Sequence, residues 1–248
     1  MIEAKGLRKT FGPLVAVDGV SFTVDKGDVL GFMGPNGAGK TTTMKMLSCF
    51  FPPDGGTAVI EGHDVVADPI GVKRAIGYLA ENAPAYDEMT ACSFLGFVCD
   101  ARGLGGAERR RALDQVTEWC ALGDVLHQPI GTLSKGFRRR VGLAQALVHD
   151  PPVLILDEPT DGLDPNQKHD VRQLIKKLAP EKSIVISTHL LEEVDALCSR
   201  IVIIDRGRIL VDSTPEELRK KEGAELDRVF RKLTTRRAPA AARPGGAA

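Results

Sequence analysis

The sequence predicts an α/β protein built on a mostly parallel central sheet. Short, almost continuously apolar runs recur along the chain, as in strands covered on both faces. Amphipathic helical patterns lie between most of them. One long interior stretch has helical periodicity and no convincing strand, which marks a helical subdomain inserted into the sheet-forming core.

In chain order, Val29–Met33 is the first of these strands. The segment Pro52–Gly62 combines turn residues with a short strand and predicts a small antiparallel edge. Ile76–Leu79 is the next parallel strand. From about Pro84 to Val148 the pattern is helical: Phe94, Phe97, Val98 and Ala101, then Leu113, Val116 and Cys120 on a helix starting near Ala107, then Phe137, Val141, Ala144 and Val148. Strands return at Val153–Leu156, Ile184–Ser187 and Ile201–Ile204. Between the first two of these, Val171, Leu174, Ile175 and Leu178 form one apolar helical stripe. The alternation ends after Asp212. Thr214-Pro-Glu-Glu217 is a capping box with proline at the first helical position. Leu226, Val229, Phe230 and Leu233 predict a last amphipathic helix, and the Ala- and Pro-rich end from Ala238 to Ala248 is expected to be disordered. These boundaries divide the chain into a domain over 1–212, with its helical subdomain at about 84–148, a helical extension over 213–236 and a tail over 237–248.

Composition narrows the class. Thirty-three Lys and Arg balance 33 Asp and Glu, which excludes a globally basic nucleic-acid binder and an acidic solvating domain. Hydrophobic residues at 43% and charged residues at 27% fit an ordinary soluble globular protein of 248 residues. No apolar run is long enough to span a bilayer, and Met-Ile-Glu-Ala-Lys at the start has no signal-peptide character. Five cysteines without a C-x-x-C pair predict small core residues in a reducing compartment, with neither a disulfide framework nor a zinc site. The runs Arg109–Arg111 and Arg138–Arg140 are expected to form solvated or salt-bridged helix faces. From Arg206 onward, 11 Lys and Arg against 6 Asp and Glu give a local basic excess able to sit near anionic headgroups.

The chemistry concentrates in a few places. Gly34-Pro35-Asn36-Gly37-Ala38-Gly39-Lys40-Thr41 fits G-x-x-x-x-G-K-[ST] between a predicted strand and a helix. Such glycines let backbone N–H groups turn onto phosphate oxygens, and the helix start adds its positive dipole end. Lys40 is expected to reach the β- and γ-phosphates of a nucleotide, and the Thr41 hydroxyl to complete a Mg²⁺ shell. Thr42 follows on the same turn. Far downstream, the strand Val153–Leu156 runs into Asp157 and Glu158, at the carboxyl end where open α/β sheets bind ligands. Asp157 is suited to hold Mg²⁺ through water, and Glu158 to polarise the water attacking a γ-phosphate. Ser134 is a natural N-cap, and Gly136 permits close approach, so a second anion-binding helix start follows Leu133. His189, taken alone, carries no functional reading.

The order of Gly34–Thr41, Glu81, Leu133–Gly136, Leu156–Asp164 and Ser187-Thr-His189 resembles the ATP-binding cassette (ABC) ATPase subunit over residues 1 to about 212. The resemblance implies a P-loop NTPase (RecA-like) core, ATP and Mg²⁺ as ligands, and ATPase activity. It implies Phe11 stacked on adenine, Glu81 at the Q-loop, Ser134 and Gly136 in the signature motif and Asp164 in the D-loop. It further implies Glu158 as general base and His189 as a γ-phosphate ligand, with Thr41, Glu81 and Asp157 on the metal. Two cassettes, as a homodimer or a heterodimer, then pack head to tail, so that the signature helix of one closes on the phosphates held by the other.

The chain departs from the usual motifs at Glu81, where glutamine is customary, and at Lys135 and Phe137, where glycine and glutamine are commonest. These features and the C-terminal segment look like the exporter-type subgroup that includes drug-efflux, sodium-extrusion and gliding-motility ATPases. Members of that subgroup work with a separate transmembrane permease, at the cytoplasmic face of the membrane. The rival reading is a soluble ABC ATPase acting on ribosomes or DNA. Translation-type members usually fuse two cassettes, whereas this sequence has one. Repair-type members insert long coiled coils, whereas 94 positions separate Lys40 from Ser134 here. A non-hydrolysing regulator is disfavoured because every catalytic position is occupied, and no nucleic acid is expected as a partner.

Overall fold

The computed structural model describes residues 1–82, 84–222 and 230. Strands β1 (Ile2–Phe11) and β2 (Leu14–Val24) form an antiparallel hairpin. Strand β3 (Val29–Met33) is buried along its whole length and leads through a loop into α1 (Lys40–Leu47). Next come β4 (Gly55–Ile60) and β5 (His63–Asp64), and β4 returns to pair antiparallel with β1. The expected small antiparallel edge is thus one part of a four-stranded sheet ordered β2-β1-β4-β5. The two N-terminal strands escape a simple period-two reading because their pairing contains register shifts between Ala4 and Leu7, Leu7 and Arg8, and Lys9 and Thr10. Each shift resets the inward face and breaks the alternation.

Helix α2 (Pro69–Ala75) starts on an Asp68 cap and runs directly into β6 (Ile76–Leu79). Three long helices follow: α3 (Ala91–Ala101), α4 (Gly106–Trp119) and α5 (Lys135–Leu147). Among the described residues between β6 and the next strand, the only β pairing is an isolated bridge between Thr90 and Pro129. The chain then alternates through β7 (Val153–Asp157), α6 (Pro165–Leu178), β8 (Ser183–Thr188), α7 (Leu191–Leu197) and β9 (Arg200–Asp205). Strand β10 (Arg208–Ser213) turns back on β9, and α8 (Pro215–Glu222) closes the described run. The α8 start is the predicted capping box: Glu217 N–H donates to Thr214 Oγ1 at 3.1 Å, and Thr214 N–H donates to Glu217 Oε2 at 3.4 Å. Phe230 packs on the small cluster of Met33, Val194, Ile201, Ile203 and Leu218. The predicted helix positions Leu226, Val229 and Leu233 and the tail over 237–248 lie outside the described residues.

The six-stranded sheet is ordered β10-β9-β3-β8-β7-β6 and is parallel except for β10. Every residue of β3, β7 and β8 is buried, as the apolar runs at their centres require. One core lies between this sheet and the helices, with Leu95, Val141, Leu156 and Ile186 at its centre. The other fills the space between the two sheets, where Phe22 and Phe32 meet at 5.4 Å. Each such side chain contributes about 1.5–3 kcal/mol by leaving water. Register sets the function: Met33 pairs with Thr188 and Asp157 with Ser187, so the loops after β3, β7 and β8 leave the sheet at one edge. Among the described residues, no helix is long and apolar enough to cross a membrane.

Candidate functional site

The loop from Gly34 to Gly39 joins β3 to α1 and is tied down by its own backbone. Ala38 N–H donates to the Pro35 carbonyl at 3.1 Å, and Gly207 N–H donates to the Ala38 carbonyl at 2.8 Å. Gly39 has φ +107°, and a Cβ there would lie 2.5 Å from the Ala16 carbonyl oxygen, so both the turn and the close approach require glycine. Asn36, Gly37, Gly39, Lys40, Thr41 and Thr42 line a cavity of about 310 Å³, and Phe11, Leu14, Ala16, Glu81 and Glu158 complete its walls. Gly34, Pro35 and Ala38 form the back of the loop. The first turn of α1, with N–H groups that no helical carbonyl can satisfy, therefore borders the cavity and suits an anion.

Lys40 is buried and donates from Nζ to the carbonyls of Gly34 at 2.7 Å and Pro35 at 3.3 Å. Burial lowers its pKa, while Glu158, Asp157 and Glu81 pull it back up. Three carboxylates thus surround the one ammonium of the loop, an arrangement suited to a phosphate with its counter-cation.

Phe11 is 47% exposed and does not stand alone. Its ring meets Phe51 edge-on at 5.7 Å, and the Lys9 ammonium lies 5.9 Å and 5.2 Å from the two centroids. Lys9 is held in turn by Asp54 Oδ1 at 2.7 Å and the Pro52 carbonyl at 2.8 Å. Hydrogen bonds from Lys9 and Thr10 hold the Asp54 carboxyl well below the usual carboxylate range.

Asp157 ends β7 fully buried. Its Oδ1 accepts from the Ser187 hydroxyl on the neighbouring strand, and its Oδ2 has no hydrogen-bond partner among the described residues. A buried carboxylate oxygen left without a donor fits a cation in that position. Glu158 turns the chain with φ +53°, and its N–H donates to the Ser187 carbonyl at 3.1 Å. His189, at the end of β8, donates from Nδ1 to the Glu158 carboxylate.

Ser134, Gly136 and Asp164 stand elsewhere. Ser134 caps α5, its Oγ accepting from Phe137 N–H at 3.3 Å, and Asp164 caps α6, accepting from Gln167 N–H at 2.9 Å. A Cβ on Gly136 would lie 2.5 Å from Gln167 Oε1, so the two helix starts abut through this glycine. Lys135 pairs with Asp161 at 2.8 Å across the same junction. Ser134, Gly136 and Asp164 are not among the residues lining the cavity.

Within the arginine triplet the expectation of a solvated or salt-bridged face fails at Arg139. Arg138 does face solvent and pairs with Asp87 at 3.1 Å, but Arg139 and Arg140 are buried. Arg140 reaches Asp170 at 3.3 Å. Arg139 donates from Nη1 to the carbonyls of Ala80 at 2.8 Å and Glu81, and from Nη2 to those of Asp157 and Glu158. The signal was present: Gly136, Arg139, Arg140, Leu143, Ala144 and Leu147 form one buried helical stripe on α5.

Residues 17–161 match the ABC transporter family. The chain is 37% identical over 229 residues to the daunorubicin/doxorubicin resistance ATP-binding protein DrrA of Streptomyces peucetius, covering 92% of this chain and 69% of that one. It is 37% identical over 218 residues to the ABC transporter ATP-binding protein NatA of Bacillus subtilis, covering 87% and 89%. With the Nod factor export ATP-binding protein I of Ralstonia nicotianae it shares 35% over 232 residues, 93% of this chain and 72% of that one. A solved ATP-binding subunit of an ABC transporter superposes with a TM-score of 0.87 at 30% identity, over 94% of this chain and 99% of that one. A dimeric ATP-binding cassette in a post-hydrolysis state with ADP and phosphate superposes with a TM-score of 0.80 at 25% identity, covering 86% and 98%. A nucleotide-sized cavity on a P-loop, in this fold and with these relatives, makes the chain a member of the ABC transporter family, one of its ATP-binding and ATP-hydrolysing subunits.

Proposed function

We propose that the chain powers a membrane exporter, working as a head-to-tail pair of cassettes that drives a separate transmembrane subunit from the cytoplasmic face. The observation that carries this reading is the sharing of one cavity by the α1 start, Lys40, Thr41, Glu81 and Glu158, with Phe11 on the far wall. ATP fits it with its adenine on Phe11 and its phosphates on the backbone of residues 36–42. Lys40 bonds the β- and γ-phosphates. Thr41, Asp157 and Glu81 would hold Mg²⁺, which would screen the phosphate charge. Glu158 accepts the proton of the attacking water, a role worth roughly 10²–10⁴ in rate. His189 orients that carboxylate through Nδ1 and reaches the γ-phosphate through its other ring nitrogen.

Ser134, Gly136 and Asp164 serve the partner chain. The α5 start lies outside its own cavity, which supports a site completed only when a second cassette delivers this helix to the phosphates. We favour two copies of this chain over a mixed pair. Residues 1–212 form the cassette in this reading, 84–148 its helical subdomain, and 213–236 an extension. Export is supported by relatives named for drug resistance and Nod factor export; the ribosome- or DNA-acting alternative has no such support. The test is extraction of native membranes in mild detergent. The chain is expected to co-purify with a multi-helix membrane protein, and recovery only as a free dimer or with ribosomes would overturn the proposal.

A further inference from the structure

Arg139 is buried, with 4% of its surface exposed, and no carboxylate forms an ion pair with it among the described residues. All four of its hydrogen bonds go to backbone carbonyls, two on each Nη group. The carbonyls on Nη1 belong to Ala80 and Glu81, in the loop that brings Glu81 to the cavity wall. Those on Nη2 belong to Asp157 and Glu158, in the turn that brings Glu158 to the same cavity. A guanidinium is planar, with its donors in a rigid fork, so it holds the two loops at a fixed spacing. A lysine at the same place keeps the charge but has no fork.

The Glu158 turn needs such a hold. Its φ of +53° lies in the left-handed region, which a glutamate enters only when its surroundings impose it. Ser187 restrains its N–H, and Asp161 N–H, at 3.0 Å, joins Arg139 on its carbonyl. Arg139 is the only one of these restraints that also grips the Glu81 loop. We propose that Arg139 is a positioning residue for ATP hydrolysis, setting the distance between Glu81 and Glu158 by binding the backbone of both loops at once. This rests on the reading of Glu158 as the base.

The test uses the full chain with Arg139→Lys and Arg139→Gln, measuring the melting temperature, the affinity for a fluorescent ATP analogue, and kcat and KM for ATP. Arg139→Lys is expected to bind nucleotide within about threefold of the parent while kcat falls about tenfold or more, because misplaced groups lose rate before binding. Wild-type kcat in Arg139→Lys, or a loss of activity that only tracks the folded fraction, would overturn the proposal. A second measurement needs no substitution. In the parent chain carrying ¹⁵N-arginine, the Arg139 Nη resonances should be slowed by their four bonds and shift when Mg²⁺ and the β,γ-imido analogue of ATP are added. Resonances that exchange freely or do not move would also overturn it. That spectrum is recorded without turnover, so failure of Glu158 as the base leaves its outcome unchanged.

Discussion

His189 straddles the carboxylate of Glu158, with Nδ1 at 3.0 Å from Oε1 and 2.9 Å from Oε2. The imidazole is half exposed while the carboxylate is largely covered, so the histidine forms the outer face of a contact whose inner face is the turn after β7. The pair is therefore already oriented in the single chain, before any partner cassette closes on it.

Glu158→Gln preserves the shape of this contact but removes the carboxylate proposed as the proton acceptor. ATP affinity should stay close to that of the parent while turnover falls by roughly 10²–10⁴, and ATP should trap a stable dimer visible by size-exclusion chromatography. Near-normal ATPase activity would refute the base assignment.

Asp157→Asn replaces the unpartnered Oδ2 with a neutral amide in a fully buried site. Titration of ATP binding with Mg²⁺ should move to higher metal concentration by about tenfold or more, an effect on the order of 1–3 kcal/mol for a lost charged contact. Binding without metal should change little. An unchanged Mg²⁺ midpoint would remove Asp157 from the metal shell.

Phe11→Ala deletes the exposed ring braced by Phe51 and Lys9. Stacking of a base on an aromatic ring is worth about 1–3 kcal/mol, so KM for ATP should rise about tenfold with kcat nearly unchanged. Equal loss with a base-free triphosphate would show that the ring does not meet the base.

His149 gives a pH prediction away from the cavity. Burial pushes its pKa down from 6.5 to about 4, with Arg102 adding to the effect, while its Nε2 donates to the Ile76 carbonyl at 3.0 Å. A folded-state pKa below the unfolded one means that the unfolded chain binds the extra proton first. Stability from this residue is therefore complete above about pH 6.5 and lost as pH falls toward 4. The melting temperature of the parent should drop more steeply across that window than that of His149→Gln, and parallel profiles would contradict the prediction.

What could be read from the sequence depended on how local each signal is. The P-loop acts through consecutive backbone groups, so its spacing alone reveals it. The strands at Val29–Met33 and Val153–Leu156 are covered on both faces and announce themselves as short apolar runs. The hairpin of β1 and β2 was not legible, because its register shifts scatter the alternation that a half-covered strand should show. Arg139 was misjudged for another reason: its residue type suggested solvent, whereas its place on the stripe of Gly136, Leu143 and Leu147 pointed inward. The roles of Ser134 and Asp164 came only from resemblance, since within one chain they are two ordinary helix caps.

The pairing of Asp157 with Ser187 has a consequence for how the chain reaches its native state. A slip of β8 by one residue that puts Ile186 beside Asp157 would leave the carboxylate without the hydroxyl that Ser187 donates to it. Burying an unsatisfied carboxylate costs several kcal/mol, so this mispairing is penalised at the residue proposed to hold the metal. The carboxylate thereby selects against that slip, and the same contact that favours the native register also fixes where the loops after β7 and β8 leave the sheet.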